Sequence, residues 1–360
     1  MRILCIIDSF RIGGGAQTQL AGLAVMLKEN GHEVETLSYH QVVPTLSFEP
    51  YLRELGVKYV CPVAFSRIQK YKGVYREIQS YRPNVVISYI DGPIMISCLI
   101  RLISGLRFNL IVSERSTTQR TTFKKWMKFQ LCRIADWVVP NAYAQERYII
   151  RHYPFLKRKL RTISNFVDTE LYAPITASRS SQGVLNLLVV ARVVPPKNVL
   201  GLLEALAILK AKGLDFRVHW YGRSSGYQAE CERKVKQLQL NSCFFFYEAV
   251  KNIADVYKDP QYDVFCLPSF IEGCPNTLAE AMACGLPVLC SDVCDNARYV
   301  EDGKNGYLFD PYSIESMVDA ILKFFSLTKE ERIRMGACGR EKAVTVFSKE
   351  VFIKQYLDIL

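Results

Sequence analysis

Short apolar runs bounded by turn residues recur along the chain and alternate with longer stretches whose apolar positions keep helical spacing. Ile3 to Ile7, Val85 to Tyr89, Leu110 to Val112, Phe216 to Tyr221, Cys243 to Tyr247 and Val264 to Leu267 have the length and unbroken apolarity of parallel strands buried on both faces. LNLLVVAR, from Leu185, and Pro287 to Cys290 read the same way. Between them, Leu20, Leu23, Ala24 and Leu27 mark one face of a helix that Asn30 and Gly31 end. Tyr71 to Ser80, Val199 to Lys212, Glu230 to Gln239 and Lys349 to Leu360 predict further helices, and Glu33 to Tyr39, Tyr51 to Leu55 and Val57 to Cys61 continue the alternation. Strand and helix in turn, in both halves, predict an α/β protein with two doubly wound parallel sheets of the Rossmann type.

One stretch concentrates the candidate chemistry: YDVFCLPSFIEGCPNTLAEAMACGLPVLCSD, from Tyr262 to Asp292. The strand Val264 to Leu267 runs into a loop; Pro275 and Asn276 open a helix, Gly285 and Pro287 end it, and a second strand follows. Such a βαβ unit binds ligands at the carboxyl end of its strand, beside the helix N-terminus. Glu272 stands in the loop and Glu280 one turn into the helix, with the amides around Pro275 to Leu278 between them. The first amides of a helix attract an anion, and each carboxylate accepts hydrogen bonds from hydroxyls. A nucleoside joined to a sugar through a diphosphate has both features.

Composition narrows the class. The 360 residues are 49% hydrophobic, enough for two cores. Val85 to Val112 is the most apolar region, but Asp91, Arg101 and Arg107 interrupt it well short of the roughly 18 residues of a membrane span. MRILCIID reads as a first strand, not a leader, so a cytoplasmic location is expected. The twelve cysteines sit largely in strand patterns, and Cys284, Cys290 and Cys294 lack a CxxC pair or a nearby His, so neither disulfides nor zinc are expected.

The net charge of +11 lies wholly in the first half: residues 1 to 172 hold 24 Lys and Arg against 13 Asp and Glu, and residues 173 to 360 hold 22 of each. That asymmetry fits an extended anionic partner, namely a membrane surface, a lipid-linked diphosphate or nucleic acid, or else solvated charge without one. No nucleic-acid recognition motif is present. Arg120 to Arg133 mixes Arg120, Lys124, Lys125 and Lys128 with Phe123, Trp126, Met127 and Phe129. A membrane-surface helix needs these residue types, and a helix docked on its own domain would use them too. RHYPFLKRKLR, from Arg151 to Arg161, adds a second basic run.

EGCPNTLAEAMACGLPVLCSD resembles the Glu-x7-Glu signature of the retaining glycosyltransferases of family 4, two-domain enzymes of the GT-B architecture. The resemblance implies that Glu280 holds the ribose of a nucleotide-sugar, that Glu272 faces the donor sugar, and that the amides after Gly273, in the donor-binding stretch of Cys274, Pro275, Asn276, Thr277 and Leu278 whose proline carries no N–H, hold the diphosphate. In LNLLVVARVVPPKN, Arg192 and Lys197 are similar to the paired cations with which the family grips that diphosphate, although Ala191 replaces the usual Gly. Gly222 ends the next strand of the same half, and the base would be read near Tyr247 to Val250. Glu272, Arg192 and Lys197 are therefore the expected catalytic group. No DxD triplet is present and no metal or other cofactor is expected.

In the first half, Gly13, Gly14 and Gly15 make a strand-to-helix turn that serves either a tight bend or close approach of a substrate. The family places a GG turn here, at the cleft between its domains. Asp91 follows a strand and is either an acceptor ligand or a helix cap. Ser113, Glu114 and Arg115 end the next strand in SERS, which is similar to a motif of a subset building bacterial surface polysaccharides and lipid-linked glycans. Family members often carry a His there and this chain does not, so no His role is transferred. His32 and His219 read as structural.

ISNFVDTELYAP resembles the family's crossing between domains, and SRSSQG, residues 178 to 183, reads as a linker. The expected domains are an acceptor-binding unit, 1–172 joined by a C-terminal helix 346–360, and a nucleotide-sugar-binding unit, 183–345. The implied function is retaining transfer of a hexose or N-acetylhexosamine, from a UDP-sugar first of all, to a glycan or polyprenyl-diphosphate-linked acceptor, at the cytoplasmic face of an anionic inner membrane. A sugar-nucleotide epimerase or phosphorylase of the same fold, and a non-catalytic subunit of a glycosylation complex, are the alternatives.

Overall fold

The computed structural model describes residues 1–62, 66–118, 120–175, 183–250 and 252–360. Most of the expected linker, 178 to 183, lies outside them. The chain divides into two compact units, Met1–Asn165 with Glu350–Leu360, and Phe166–Lys349.

The first unit holds six parallel strands: β1 (Arg2–Ile6), β2 (Glu33–Leu37), β3 (Lys58–Val60), β4 (Val85–Tyr89), β5 (Asn109–Glu114) and β6 (Trp137–Pro140), in the order β3-β2-β1-β4-β5-β6. The second holds β7 (Leu185–Val190), β8 (Phe216–Tyr221), β9 (Phe244–Tyr247), β10 (Val264–Leu267), β11 (Val288–Ser291) and β12 (Gly306–Phe309), in the order β12-β11-β10-β7-β8-β9. Each unit is thus doubly wound, as the alternation of patterns predicts. Within each sheet the order reverses once, between β1 and β4 and between β7 and β10. At such a switch point the loops leave on opposite faces and open a crevice beyond the strand ends.

Burial on both faces explains why the strands read as apolar runs. In the second unit, Leu187 and Val189 of β7 join a core with Trp220 and Leu206, while Leu188 of the same strand joins another with Phe265 and Met282. All twelve cysteines are free thiols, seven of them fully inside apolar surroundings as small hydrophobes or nearly so, Cys5, Cys98, Cys132, Cys231, Cys266, Cys284 and Cys290.

The sequence reading differs from the structure at the C-terminus. The helix expected over 346–360 is two, Lys329–Phe347 and Lys349–Leu357, separated at the extended Ser348. The first of these begins with a capping box between Thr328 and Glu331, a Thr-x-x-Glu signal that periodicity alone passes over. Ser313 likewise caps a helix over Ile314–Phe325. In the first unit, the Tyr356 hydroxyl meets that of Tyr89 at 2.7 Å and docks the last helix beneath β4.

The basic aromatic segment resolves into a helix, Phe123–Leu131, capped by Thr122. Lys128 and Phe129 are buried, so Lys128 is not part of a lipid-facing surface; it is consumed by an internal ion pair. Phe123, Trp126 and Met127 stay exposed, with the Phe123 and Trp126 rings stacked at 5.7 Å. Among the described residues no helix is long and apolar enough to cross a membrane.

Candidate active site

At the switch point of the second unit, β7 runs out through Ala191 and Arg192 into a 3-10 turn, Pro195–Lys197. Two prolines fix the backbone of that turn. Asn198 then takes a left-handed conformation (φ 54°); its side chain accepts from the Gly201 amide at 3.2 Å and donates to the Pro311 carbonyl at 3.0 Å, which starts the helix Val199–Ala211. So held, Lys197 reaches the loop after the neighbouring strand β10. Its Nζ donates to Glu272 Oε1 at 2.5 Å, with both side chains largely covered. A backbone bond from the Phe270 amide to the Pro196 carbonyl, 2.9 Å, ties the same two loops.

Beyond Glu272, Gly273 and Cys274 lead to Pro275 and the helix Asn276–Ala283. The first bond of its ladder runs from the Ala279 amide to the Pro275 carbonyl at 3.3 Å, so the amides of Asn276, Thr277 and Leu278 precede the ladder and form the positive end of the helix. The Cys274 and Leu278 side chains belong to the core, which leaves only their backbone for a ligand. Glu280 follows on the second turn. Burial pushes its carboxyl up to about 7, against a hydrogen bond from Tyr257 that works the other way. Tyr172 lies beside the same carboxylate, its ring edge-on to Tyr257 at 5.8 Å. Neither tyrosine stands out in the sequence, because their proximity to Glu280 arises only in three dimensions.

Gly222 is needed for packing: a Cβ there would stand 1.9 Å from the Ala191 carbonyl oxygen, an atom that also accepts from Trp220 Nε1 at 2.8 Å. It lets the turn after β8 close against the turn after β7. Arg192 is exposed and, among the described residues, its side chain has no partner, so the second cation is available where the first is already paired.

The first unit carries a cavity of about 400 Å³ at the carboxyl ends of its strands. Asp8 follows β1, Tyr39 and His40 follow β2, Asp91 and Gly92 follow β4, Glu114 ends β5, and Arg115 and Lys124 complete the lining. Asp91, Glu114 and Arg115 thus come together. The helix-cap alternative for Asp91 does not form: the helix Asp91–Ile103 begins after Ile90 with no side-chain cap, and Asp91 Oδ1 accepts from Lys128 Nζ at 2.7 Å. Ser113, in contrast, is buried within the sheet and gives its hydroxyl to the Val139 carbonyl at 2.9 Å. Arg115 lies over the Tyr89 ring at 4.4 Å and donates to Ser113 Oγ at 3.3 Å.

Gly13, Gly14 and Gly15 do not line the cavity; Gly13 turns the chain at φ 89° and Gly15 opens the helix Gly15–Glu29. Asp8, Tyr39, His40 and Lys124 were not singled out as site residues in the sequence. The signal for Asp8, Tyr39 and His40 is topological, since each follows a strand whose carboxyl end faces the crevice. Among the described residues no three His, Cys, Asp or Glu side chains group to hold an ion.

Both units are similar to known proteins. The family described as "Glycosyltransferase Family 4" matches residues 13–171, and that described as "Glycosyl transferases group 1" matches residues 177–342, one family on each unit. The chain is a glycosyltransferase built of these two domains. This glycosyltransferase is 28% identical over 189 residues to the amylovoran biosynthesis glycosyltransferase AmsK of Erwinia amylovora, covering 49% of the chain and 44% of AmsK. It is 24% identical over 248 residues to the UDP-Gal:alpha-D-GlcNAc-diphosphoundecaprenol alpha-1,3-galactosyltransferase of Escherichia coli, 63% of the chain and 60% of that enzyme. The match thus spans about half of these two relatives' length. In fold, the glycosyltransferase is like Anabaena HepE, solved with UDP and glucose: TM-score 0.84, 16% identity, 99% of this chain and 98% of that one. Its two doubly wound units are those of the GT-B class.

Proposed function

We propose that this glycosyltransferase moves a hexose or N-acetylhexosamine from a UDP-sugar to a saccharide carried on a polyprenyl diphosphate, with retention at the anomeric carbon, in the assembly of a bacterial surface polysaccharide. The observation that carries the donor half is the Lys197–Glu272 pair at the β7/β10 switch point, placed before the N-terminus of the helix that bears Glu280. The diphosphate would lie on the amides of Asn276 to Leu278 beside Lys197 and Arg192, the sugar against Glu272, and the ribose hydroxyls on Glu280. UDP in the HepE structure and the substrate named for the Escherichia coli relative support this choice of donor and acceptor class, and AmsK supports the polysaccharide context.

In the reaction, the acceptor oxygen bonds to the anomeric carbon on the face from which the C1–O bond to the diphosphate breaks. A phosphate oxygen of the leaving UDP takes the acceptor's proton, so no side-chain base is required. Lys197 and Arg192 neutralise the charge that grows on the diphosphate, and cations set in place before the reaction are a large electrostatic contribution. That role needs no metal ion. The cavity on the first unit would take the acceptor sugar. Its basic surplus, with Phe123 and Trp126 exposed, supports residence on an anionic membrane face, the cytoplasmic one where nucleotide-sugars would be met.

The test is one incubation of the full chain with UDP-glucose, UDP-galactose, UDP-N-acetylglucosamine and GDP-mannose, each with and without undecaprenyl-diphosphate-linked N-acetylglucosamine. Product mass identifies transfer, and proton NMR of the new linkage reads the anomer. Donor loss without acceptor elongation would support the epimerase or phosphorylase alternative instead.

A further inference from the structure

The Lys128 side chain is 1% exposed and its ammonium lies between two carboxylates from adjacent strand ends. Asp91 Oδ1 accepts from it at 2.7 Å after β4, and Glu114 Oε2 accepts from it at the end of β5, where Glu114 is itself only 3% exposed. Burying an ammonium costs several kcal/mol of hydration, and an apolar trio of similar volume commonly packs as stably as a buried ion cluster. Stability alone therefore does not account for three charges here. Their position does: Asp91 and Glu114 line the cavity at the switch point of the first unit, and the buried Lys128 ties the two together.

The two carboxylates are not equivalent. Glu114 is closed in, with Oε1 accepting from Ser116 Oγ at 3.3 Å and Oε2 from Lys128. Asp91 is about one-third exposed, and its second oxygen has no partner among the described residues. Burial alone would raise the Asp91 carboxyl, but Lys128, with Lys125 and Lys124 nearby, overrides it and holds the group below its ordinary value. Burial would likewise lower the Lys128 ammonium, and Glu114 and Asp91 hold it above. Above Asp91, the Tyr39 hydroxyl occupies the space where a side chain at Gly92 would be, since a Cβ there would stand 2.6 Å from it. The cavity thus presents a fixed, charged acceptor beside a phenol, in a volume suited to a sugar.

We propose that Lys128 is a positioning residue for the acceptor: anchored by Glu114, it locks Asp91 with one oxygen turned to the cavity, where that oxygen receives a hydroxyl of the acceptor saccharide. The pair orients the nucleophile and does not take its proton, because a carboxylate so stabilised is a weak base. The inference rests on the glycosyltransferase reading of the donor site and adds the acceptor's contact to it.

The experiment compares Asp91→Asn, Lys128→Met and Lys128→Arg in the full chain, with undecaprenyl-diphosphate-linked N-acetylglucosamine as acceptor and the UDP-sugar that gives product. Losing a hydrogen bond to a charged group corresponds to roughly a tenfold to hundredfold loss of binding. Asp91→Asn and Lys128→Met are expected to raise the acceptor KM by about that factor while the donor KM stays within about twofold, with Lys128→Arg intermediate. Asp91→Asn leaves the buried Lys128–Glu114 pair in place, so it remains informative if Lys128→Met does not fold. An unchanged acceptor KM in Asp91→Asn, or parallel rises in acceptor and donor KM, overturns the proposal. Failure of the donor reading looks different: the unaltered chain would then bind no UDP in calorimetry and consume no UDP-sugar, and the acceptor assignment would fall with it.

Discussion

Lys197 and Glu272, 75 positions apart in sequence, meet at 2.5 Å because β7 and β10 are neighbours across the reversal of the second sheet. The pair keeps a cation at the mouth of the sheet without leaving it free to fold onto solvent. On the proposed function, an arriving diphosphate would give Lys197 a stronger anion to serve and release Glu272 toward the sugar hydroxyls. Lys197→Met should lower kcat by about 100-fold to 1000-fold, the usual loss for one preorganised donor at a developing anion. Glu272→Gln keeps the shape of the side chain and should weaken turnover while donor binding falls less. Steady-state kinetics with the active UDP-sugar check both. A Lys197→Met enzyme as fast as the unaltered one would remove the cation from the mechanism.

Asn198 determines where that lysine sits. Its backbone is left-handed, its amide oxygen caps the following helix, and its amide nitrogen is bound to the Pro311 carbonyl. Asn198→Gly tolerates the backbone but loses both side-chain bonds; Asn198→Ala loses them and strains the backbone as well. The cap alone corresponds to roughly 1 to 2 kcal/mol, and the left-handed alanine adds about 1. Urea unfolding should therefore rank the unaltered chain above Asn198→Gly and Asn198→Gly above Asn198→Ala. Equal midpoints for the two variants would deny the conformational contribution.

The strands were legible because burial on both faces leaves a run such as Val264 to Leu267 without polar interruption, and the helix after Pro275 was legible from its end signals. Glu272 and Glu280 stand out through their places in one loop and the helix that follows it, and Lys197 through its resemblance to the family's paired cations. The cavity of the first unit is less visible. Asp8, Tyr39 and Asp91 are tens of positions apart and meet only because three strands end side by side. Lys128 is left between two readings for a physical reason: a cation among Phe123, Trp126 and Met127 suits an interfacial helix and a docked one alike, and only the packing of Phe129 and Lys128 inward separates the buried face from the exposed one.

That exposed face makes a separate prediction. Phe123 and Trp126 stack on the outside of their helix, with Lys124 between them in sequence. An aromatic pair beside cations suits the headgroup layer of an anionic bilayer, and each nearby cation adds about 1 kcal/mol of attraction. Co-sedimentation with phosphatidylglycerol vesicles should fall about tenfold in affinity for a Phe123→Ser/Trp126→Ser chain and decline further with added salt. Turnover of a detergent-dispersed acceptor should change little. Equal sedimentation of the two chains would transfer the basic surplus to another role.

Glu280 makes the stability of the second unit depend on pH. Its folded carboxyl titrates near 7 because burial penalises the charged form, whereas in the unfolded chain it titrates near the ordinary 4.5. Between these values the folded state holds a proton that the unfolded state has lost, so stability falls as pH rises from about 4.5 to about 7 and is level above that. The span corresponds to about 3 kcal/mol. Subtracting the unfolding free energies of a Glu280→Gln chain, measured in urea at pH 5 and pH 8, isolates this group from the histidines that titrate in the same range. A ribose hydroxyl donates best to the ionised form. UDP-glucose, whose diphosphate exchanges no proton here, should therefore bind more weakly as pH drops below about 7, by at most about tenfold per unit. In Glu280→Gln that dependence should vanish along with most of the affinity. A binding constant that stays level from pH 8 to pH 6 in the unaltered chain would separate Glu280 from the nucleoside.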